Sequence, residues 1–179
     1  MKLLLLSLCL SLSGLAVASP KLQTVDHVDI KKYMGKWYEI ARYKNSFQKK
    51  CAGTTADYTL KKNGSVRVIN TCQKKSNPRK LQVGKGTAFV TDKKTNSKLK
   101  VSFVPFLQRW GWFGGKYWII ELGENYEYAV VGEPKRRFLW ILSRTKQLPV
   151  GVYSDLLQRL ETVHHYDTSK LIVSPEFLD

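Results

Sequence analysis

Eight short runs of strand character, evenly spaced and joined by turns, constrain this chain more than any other feature. They lie at about 36–44, 54–60, 65–71, 83–90, 98–104, 116–122, 126–131 and 138–143. No stretch between them reads as the crossover helix that a parallel βαβ arrangement requires. The connections Lys61-Lys62-Asn63-Gly64, Asp92-Lys93-Lys94-Thr95-Asn96 and Gly123-Glu124-Asn125 are turns, and Asn-Gly is a strong hairpin signal. The series predicts an all-β fold, an eight-stranded antiparallel up-and-down barrel. Such a barrel is filled by its own side chains or holds one small ligand, and the pattern alone leaves both open.

Strand alternation assigns the interior. Placing Tyr58 inside places Ala56 and Leu60 with it and leaves Asp57 in solvent. By the same rule Val66, Val68 and Asn70 share a face, Leu99, Val101 and Phe103 oppose Lys100 and Ser102, and Trp140 sides with Phe138 and Leu142. The implied interior is apolar and aromatic, with a few polar groups in Asn70 and the hydroxyls of Tyr58 and Tyr117. That is the make-up of a site for an amphipathic small molecule, although each residue taken singly serves a filled core equally well.

Outside the strands, Tyr153, Leu156, Leu157, Leu160 and Val163 recur at helical spacing, so one helix should lay an apolar stripe on the outside of the barrel. Leu171-Ile172-Val173 reads as a short final strand. His164 and His165 end the helix side by side. Adjacent helical residues point about 100° apart, so the pair is expected to be solvated or capping rather than a metal site. Asp29 should cap a helical turn at 30–33 that plugs the barrel under Trp37.

The first residues after Met1-Lys2 form an apolar run, 3–15, followed by Ala16-Val17-Ala18. This is the pattern of a secretory signal peptide, residues 1–18, cleaved after Ala18 to leave a single domain over 19–179. The run is shorter than the roughly 20 apolar residues of a membrane span. Cys9 is preceded by Leu8 rather than a small residue and stands early in the apolar run, so no lipobox, and hence no lipid anchor, is expected. Loss of Lys2 with the leader lowers the formal charge from +16 to +15. So basic a chain suits anionic partners; export and the absence of a zinc-finger or RRM signature argue against nucleic acid.

Cleavage leaves Cys51 and Cys72 in an oxidising compartment, where a disulfide is the expected fate of two cysteines. They flank the two strands of the Asn63-Gly64 hairpin, and pairing across that turn brings them within a neighbouring position or a bulge of one another. The bond should contribute roughly 2–4 kcal/mol.

Three blocks of sequence carry a resemblance: Gly35-Lys36-Trp37-Tyr38-Glu39-Ile40, Tyr128-Ala129-Val130-Val131-Gly132-Glu133-Pro134 and Leu139-Trp140-Ile141-Leu142-Ser143-Arg144-Thr145. In that order and spacing the chain resembles the lipocalin family, most of all its bacterial outer-membrane lipoprotein and apolipoprotein D branch, from about 28 to 173. The resemblance implies a ligand-holding barrel. It implies that Tyr58, Asn70, Tyr117 and Trp140 contact ligand; Phe103 joins them through its shared face with Leu99 and Val101. Gly35, Trp37 and Arg144 take structural roles, the arginine lying over the tryptophan at the closed end, and Glu39 a buried or rim hydrogen-bonding role.

The implied function is a periplasmic or secreted carrier of fatty acids or lysophospholipids, without cofactor, acting as monomer or homodimer. The alternative is a binder of another anionic ligand such as a siderophore or haem breakdown product, and a vestigial cavity on an interaction protein is a third reading. An enzyme is disfavoured, because the chain shows no Gly-x-Ser-x-Gly, no His-Glu-x-x-His and no glycine-rich phosphate loop.

In an up-and-down barrel alternate connections share an end, so those at 44–52, 73–80, 105–116 and 133–137 should rim one opening. Together they carry twelve lysines and arginines against a single acid, Glu133. The 105–115 connection adds Phe106, Leu107, Trp110, Trp112 and Phe113. Aromatic rings flanked by cations suit contact with an anionic membrane surface; folding in as a lid and packing on a partner subunit are the competing readings.

Overall fold

In the computed structural model of the protein, residues 20–106 and 113–175 are described below. The expected leader at 1–18 and the residues Leu107, Trp110 and Trp112 of the aromatic connection lie outside them. The eight predicted strands are present: β1 (Gly35–Tyr43), β2 (Cys51–Leu60), β3 (Val66–Lys74), β4 (Asn77–Val90), β5 (Lys98–Ser102), β6 (Gly115–Leu122), β7 (Tyr128–Gly132) and β8 (Leu139–Ser143). Each pairs antiparallel with the next, and β1 closes the barrel by pairing with both β2 and β8. The short β9 (Leu171–Val173) adds to β1 beyond the point where β2 leaves it.

The hairpin of β2 and β3 sets Thr54 opposite Cys72, with Ala56 opposite Asn70 and Tyr58 opposite Val68. Between Thr54 and Cys51 the register slips, so that Cys51 faces Lys74. This bulge lets Cys51 and Cys72 join in the expected disulfide at a Cα–Cα distance of 5.4 Å.

The helical turn α1 (Ile30–Tyr33) plugs one end. Asp29 caps it, its side chain accepting from the backbone N–H groups of Lys31 and Lys32. Trp37 is fully buried above it and donates from Nε1 to the Tyr33 carbonyl at 3.0 Å. The Arg144 guanidinium lies 3.7 Å from the Trp37 ring centroid and donates to the carbonyls of Lys36, Lys32 and Tyr126. Gly35 starts β1 at a φ of +94°, and a Cβ there would come within 3.3 Å of the Arg144 Nη1. The left-handed φ is what calls for glycine here.

Two apolar clusters result. One fills the lower barrel around Trp37, Tyr58, Val68, Ile119 and Val131. The other lies outside, where the helix α2 (Val150–Thr162) buries Leu156 and Leu160 against Ile40, Val130, Leu139 and Ile141. The helix is the predicted one, but its stripe stops short: Val163 follows the helix and is 58% exposed.

The histidine pair departs from expectation. His164 is not solvated: it is 4% exposed, its backbone N–H donates to the Arg159 carbonyl in the last turn of α2, and its Nε2 meets the Glu121 carboxylate at 2.8 Å. The chain leaves α2 at Thr162 and turns inward at His164, while His165 takes a left-handed φ of 55° and stays in solvent. Helical geometry therefore no longer governs the two rings.

Candidate functional site

Above the packed lower cluster the barrel is hollow, with a cavity of about 890 Å³. Its base is made by Ile30, Tyr33 and Met34, and its mouth by residues of three of the four connections expected to share an end; the fourth, 73–80, is mostly strand, β3 and β4 running on to a tight turn, and none of it lines the cavity. A volume of this size accommodates a small amphiphile. All five side chains singled out as ligand contacts, Tyr58, Asn70, Phe103, Tyr117 and Trp140, line this one space.

At the floor three tyrosines meet. The Tyr117 hydroxyl lies 2.8 Å from that of Tyr33 and 3.1 Å from that of Tyr58. Burial pushes all three phenols above their ordinary value, Tyr58 to about 12, so they stay protonated at neutral pH. Higher on the wall, Asn70 sits opposite Ala56 on β2 and Gly84 on β4.

Phe103 lies just past the end of β5 and is largely exposed, yet its ring reaches back over β4. A Cβ on Gly86 would stand 2.9 Å from its Cδ1, so the glycine makes room for the ring. Leu60, by contrast, does not join the cavity. It is the last residue of β2, opposite Val66 at the hairpin end, where the wall no longer encloses it and 37% of it is exposed.

Toward the mouth, Phe138 and Trp140 stack at 5.9 Å, with Phe47 against both. The Trp140 Nε1 donates to Gln48 Oε1 at 2.9 Å, and Gln48 Nε2 donates to the Glu39 carboxylate at 2.5 Å. Glu39 pairs with Arg42 at 3.1 Å, and Arg42 also donates to the carbonyls of Gln48 and Cys51. Desolvation raises the Glu39 pKa, opposed by the neighbouring Arg42 and the bond from Gln48.

Simple alternation places residues three apart on opposite faces. A register shift between Glu39 and Ala41 in the pairing with β8 instead sends both Ile40 and Ala41 outward and returns Arg42 to the side of Glu39. Sequence reasoning missed Arg42 for this reason, and missed Phe47 and Gln48 because they belong to a connection. The one signal was the alternation itself, which an uninterrupted β1 would have forced to expose Arg42 or bury it among apolar side chains.

The mouth is cationic. Lys116, Lys135 and Arg137 border the cavity. The single acid, Glu133, is buried and occupied: its carboxylate accepts from the backbone N–H groups of Lys135 and Arg137 and faces the Arg137 guanidinium at 3.7 Å. Lys116 and Lys135 have no ion-pair partner among the described residues. Phe106 and Phe113, the described ends of the aromatic connection, are 75% and 58% exposed. Among the described residues no three His, Cys, Asp or Glu side chains gather as metal ligands would. The arrangement offers an apolar sleeve, neutral hydrogen-bonding groups within and positive charge at the entrance.

Comparison with known proteins adds four likenesses. The model of the lipocalin-like domain matches residues 28–176. The temperature-induced lipocalin-1 of Arabidopsis thaliana is 36% identical over 160 residues, covering 87% of this chain and 83% of that one. The outer membrane lipoprotein Blc of Escherichia coli strain K12 is 39% identical over 150 residues, 83% and 79% of the two chains. Among solved structures, insecticyanin from the tobacco hornworm Manduca sexta superimposes with a TM-score of 0.66 at 19% identity, covering 88% of this chain and 85% of that one, a likeness of fold.

Proposed function

Because this chain belongs to the lipocalin family, we propose that it is an exported carrier of fatty acids, lysophospholipids or similar amphiphiles at the cell envelope. The observation that carries this reading is a cavity closed by a tyrosine floor, walled by apolar side chains and bordered at its mouth by Lys116, Lys135 and Arg137. An acyl chain fits the sleeve and an anionic head meets the rim cations, of which Lys116 and Lys135 have no ion-pair partner among the described residues, and which also attract it from solution. The polar groups hold and orient; the reading assigns no catalytic step.

The same reading places the mouth toward an anionic membrane. Phe106 and Phe113 are exposed beside Lys116, and the connection between them holds Leu107, Trp110 and Trp112. Aromatic rings settle at the headgroup level while cations meet anionic lipid. With the leader at 1–18 removed, the protein would act in the periplasm or outside the cell, as a monomer or homodimer, with no nucleic acid among its partners.

Titration with palmitate or a lysophospholipid tests the carrier reading. Tryptophan fluorescence should change saturably, and Trp140→Phe should lose much of that change with the fold intact. Failure to bind any amphiphile sinks it. Binding to phosphatidylglycerol vesicles should weaken with salt, because surface charge is screened within about 8 Å at physiological ionic strength. The Trp110→Ser, Trp112→Ser double variant should lose vesicle binding and keep its affinity for soluble ligand.

A further inference from the structure

The floor of the cavity contains a hydrogen-bond imbalance that points to the chemistry of the ligand's far end. Tyr33, Tyr58 and Tyr117 bring three hydroxyl protons together, and the two contacts centred on Tyr117 use two of them. Whichever way the chain of hydroxyls runs, one O–H has no acceptor among the described residues. Burial raises all three phenol pKa values, so the surplus proton is not shed to form a phenolate.

One inward-facing position further along β3 than Val68, about 6–7 Å up the strand, the Asn70 amide makes no hydrogen bond to the described residues, and its Oδ1 is enclosed without a donor. The lower cavity thus holds a surplus phenol donor at its floor and, above it, an amide none of whose polar atoms is bonded to a described residue, in an otherwise apolar sleeve. Buried polar groups ordinarily find partners, and a hydrocarbon tail seated here supplies none.

We propose that the cavity selects amphiphiles that are polar at both ends: an anionic head at the Lys116, Lys135 and Arg137 rim, and a neutral oxygen function, a hydroxyl or an oxo group, on the part of the chain that reaches the tyrosine floor. This rests on the carrier reading and narrows it from acyl chains in general to oxygenated ones. A hydroxyl serves best, since it accepts the surplus phenol proton and itself donates. A second carboxylate is disfavoured, because the floor's lining is neutral and the cation beneath it, Arg144, is already committed to three backbone carbonyls and the Trp37 ring.

The discriminating measurement compares palmitate with ω-hydroxypalmitate by displacement of a fluorescent fatty-acid probe. An apolar floor would favour palmitate, because burying an unpaired hydroxyl costs free energy. The structure reverses the sign: ω-hydroxypalmitate should bind about tenfold more tightly, the size expected when a buried polar group gains its partner. In the Tyr33→Phe, Tyr58→Phe, Tyr117→Phe variant the order should invert, with palmitate tighter than in the unaltered protein.

Asn70→Leu should by itself shrink the preference, and it keeps the test decisive if the triple variant does not fold. Equal affinities, or a preference for palmitate, in the unaltered protein overturn this inference and leave the carrier reading standing. Binding of neither acid overturns both.

Discussion

The two ends of the barrel are built from similar residues used in opposite ways. At the closed end Arg144 gives its donors to three carbonyls and its face to Trp37, while Asp29 is committed to the first turn of α1. At the mouth Lys116 and Lys135 have no ion-pair partner among the described residues, Phe106 and Phe113 stand in solvent, and Glu133 is turned inward to its own loop. A cation whose hydrogen bonds are met inside the fold serves stability. A cation left in water beside a hollow serves recognition, because desolvating and pairing it is still available to a ligand.

The contrast predicts that damage at the closed end is read in stability. Trp37→Ala removes a fully buried indole and the platform under Arg144. It should cost about 3–5 kcal/mol, measured by urea denaturation; a loss below about 1 kcal/mol would mean that the plug is not part of the cooperative fold.

The disulfide comes next and tests the boundary between the two ends, since Cys51 and Cys72 line the cavity near the mouth yet clamp the β2–β3 hairpin. Replacing both by serine should lower stability by roughly 2–4 kcal/mol. A peptide map without reduction should show the two cysteine peptides joined, and free thiols in oxidised, folded protein would contradict the bond.

Damage at the mouth should be read in binding instead. Lys116→Ser with Lys135→Ser should leave stability within about 0.5 kcal/mol, yet weaken palmitate severalfold at low salt and less at high salt. An equal loss at all salt concentrations would assign these lysines to packing.

The smallest expected effect concerns the buried pair between the two ends. The Glu39 pKa is raised in the folded state, mainly by burial. From the ordinary carboxyl range upward the native protein therefore holds more protons than the unfolded chain. In that window the Glu39 contribution to stability is largest at the acid side and declines as pH rises through the folded pKa. Glu39→Gln should flatten this part of the stability–pH curve, whatever it does to the absolute stability by leaving Arg42 without its counter-charge. An unchanged slope would show that Glu39 titrates as an ordinary carboxylate.

Much of this contrast was legible beforehand. Strand alternation brought Tyr58, Asn70, Phe103 and Trp140 to one interior, hairpin arithmetic brought Cys51 to Cys72, and the parity of connections gathered the basic loops at one mouth. These succeeded because each rests on a short-range rule, the two-residue period of a strand or the geometry of a tight turn. The same rules placed Leu60 inside and expected His164 to be solvated or capping, where its ring is in fact buried against Glu121. Both errors lie at an element's end, where the local period no longer decides burial.

The sequence by itself determined the number and order of strands, the plug under Trp37, the cysteine partners and which faces of the strands are apolar, since all of these follow from local conformational preference and spacing. Only the tertiary structure decided that the interior is hollow rather than filled, because volume depends on the closure of eight strands at once. It alone also returned Arg42 to Glu39 through a one-residue bulge, brought Gln48 from a loop to bridge Glu39 and Trp140, and set three tyrosines from α1, β2 and β6 around one hydroxyl. Those contacts join residues far apart in the chain, and no local preference encodes where the surplus hydrogen bond will point.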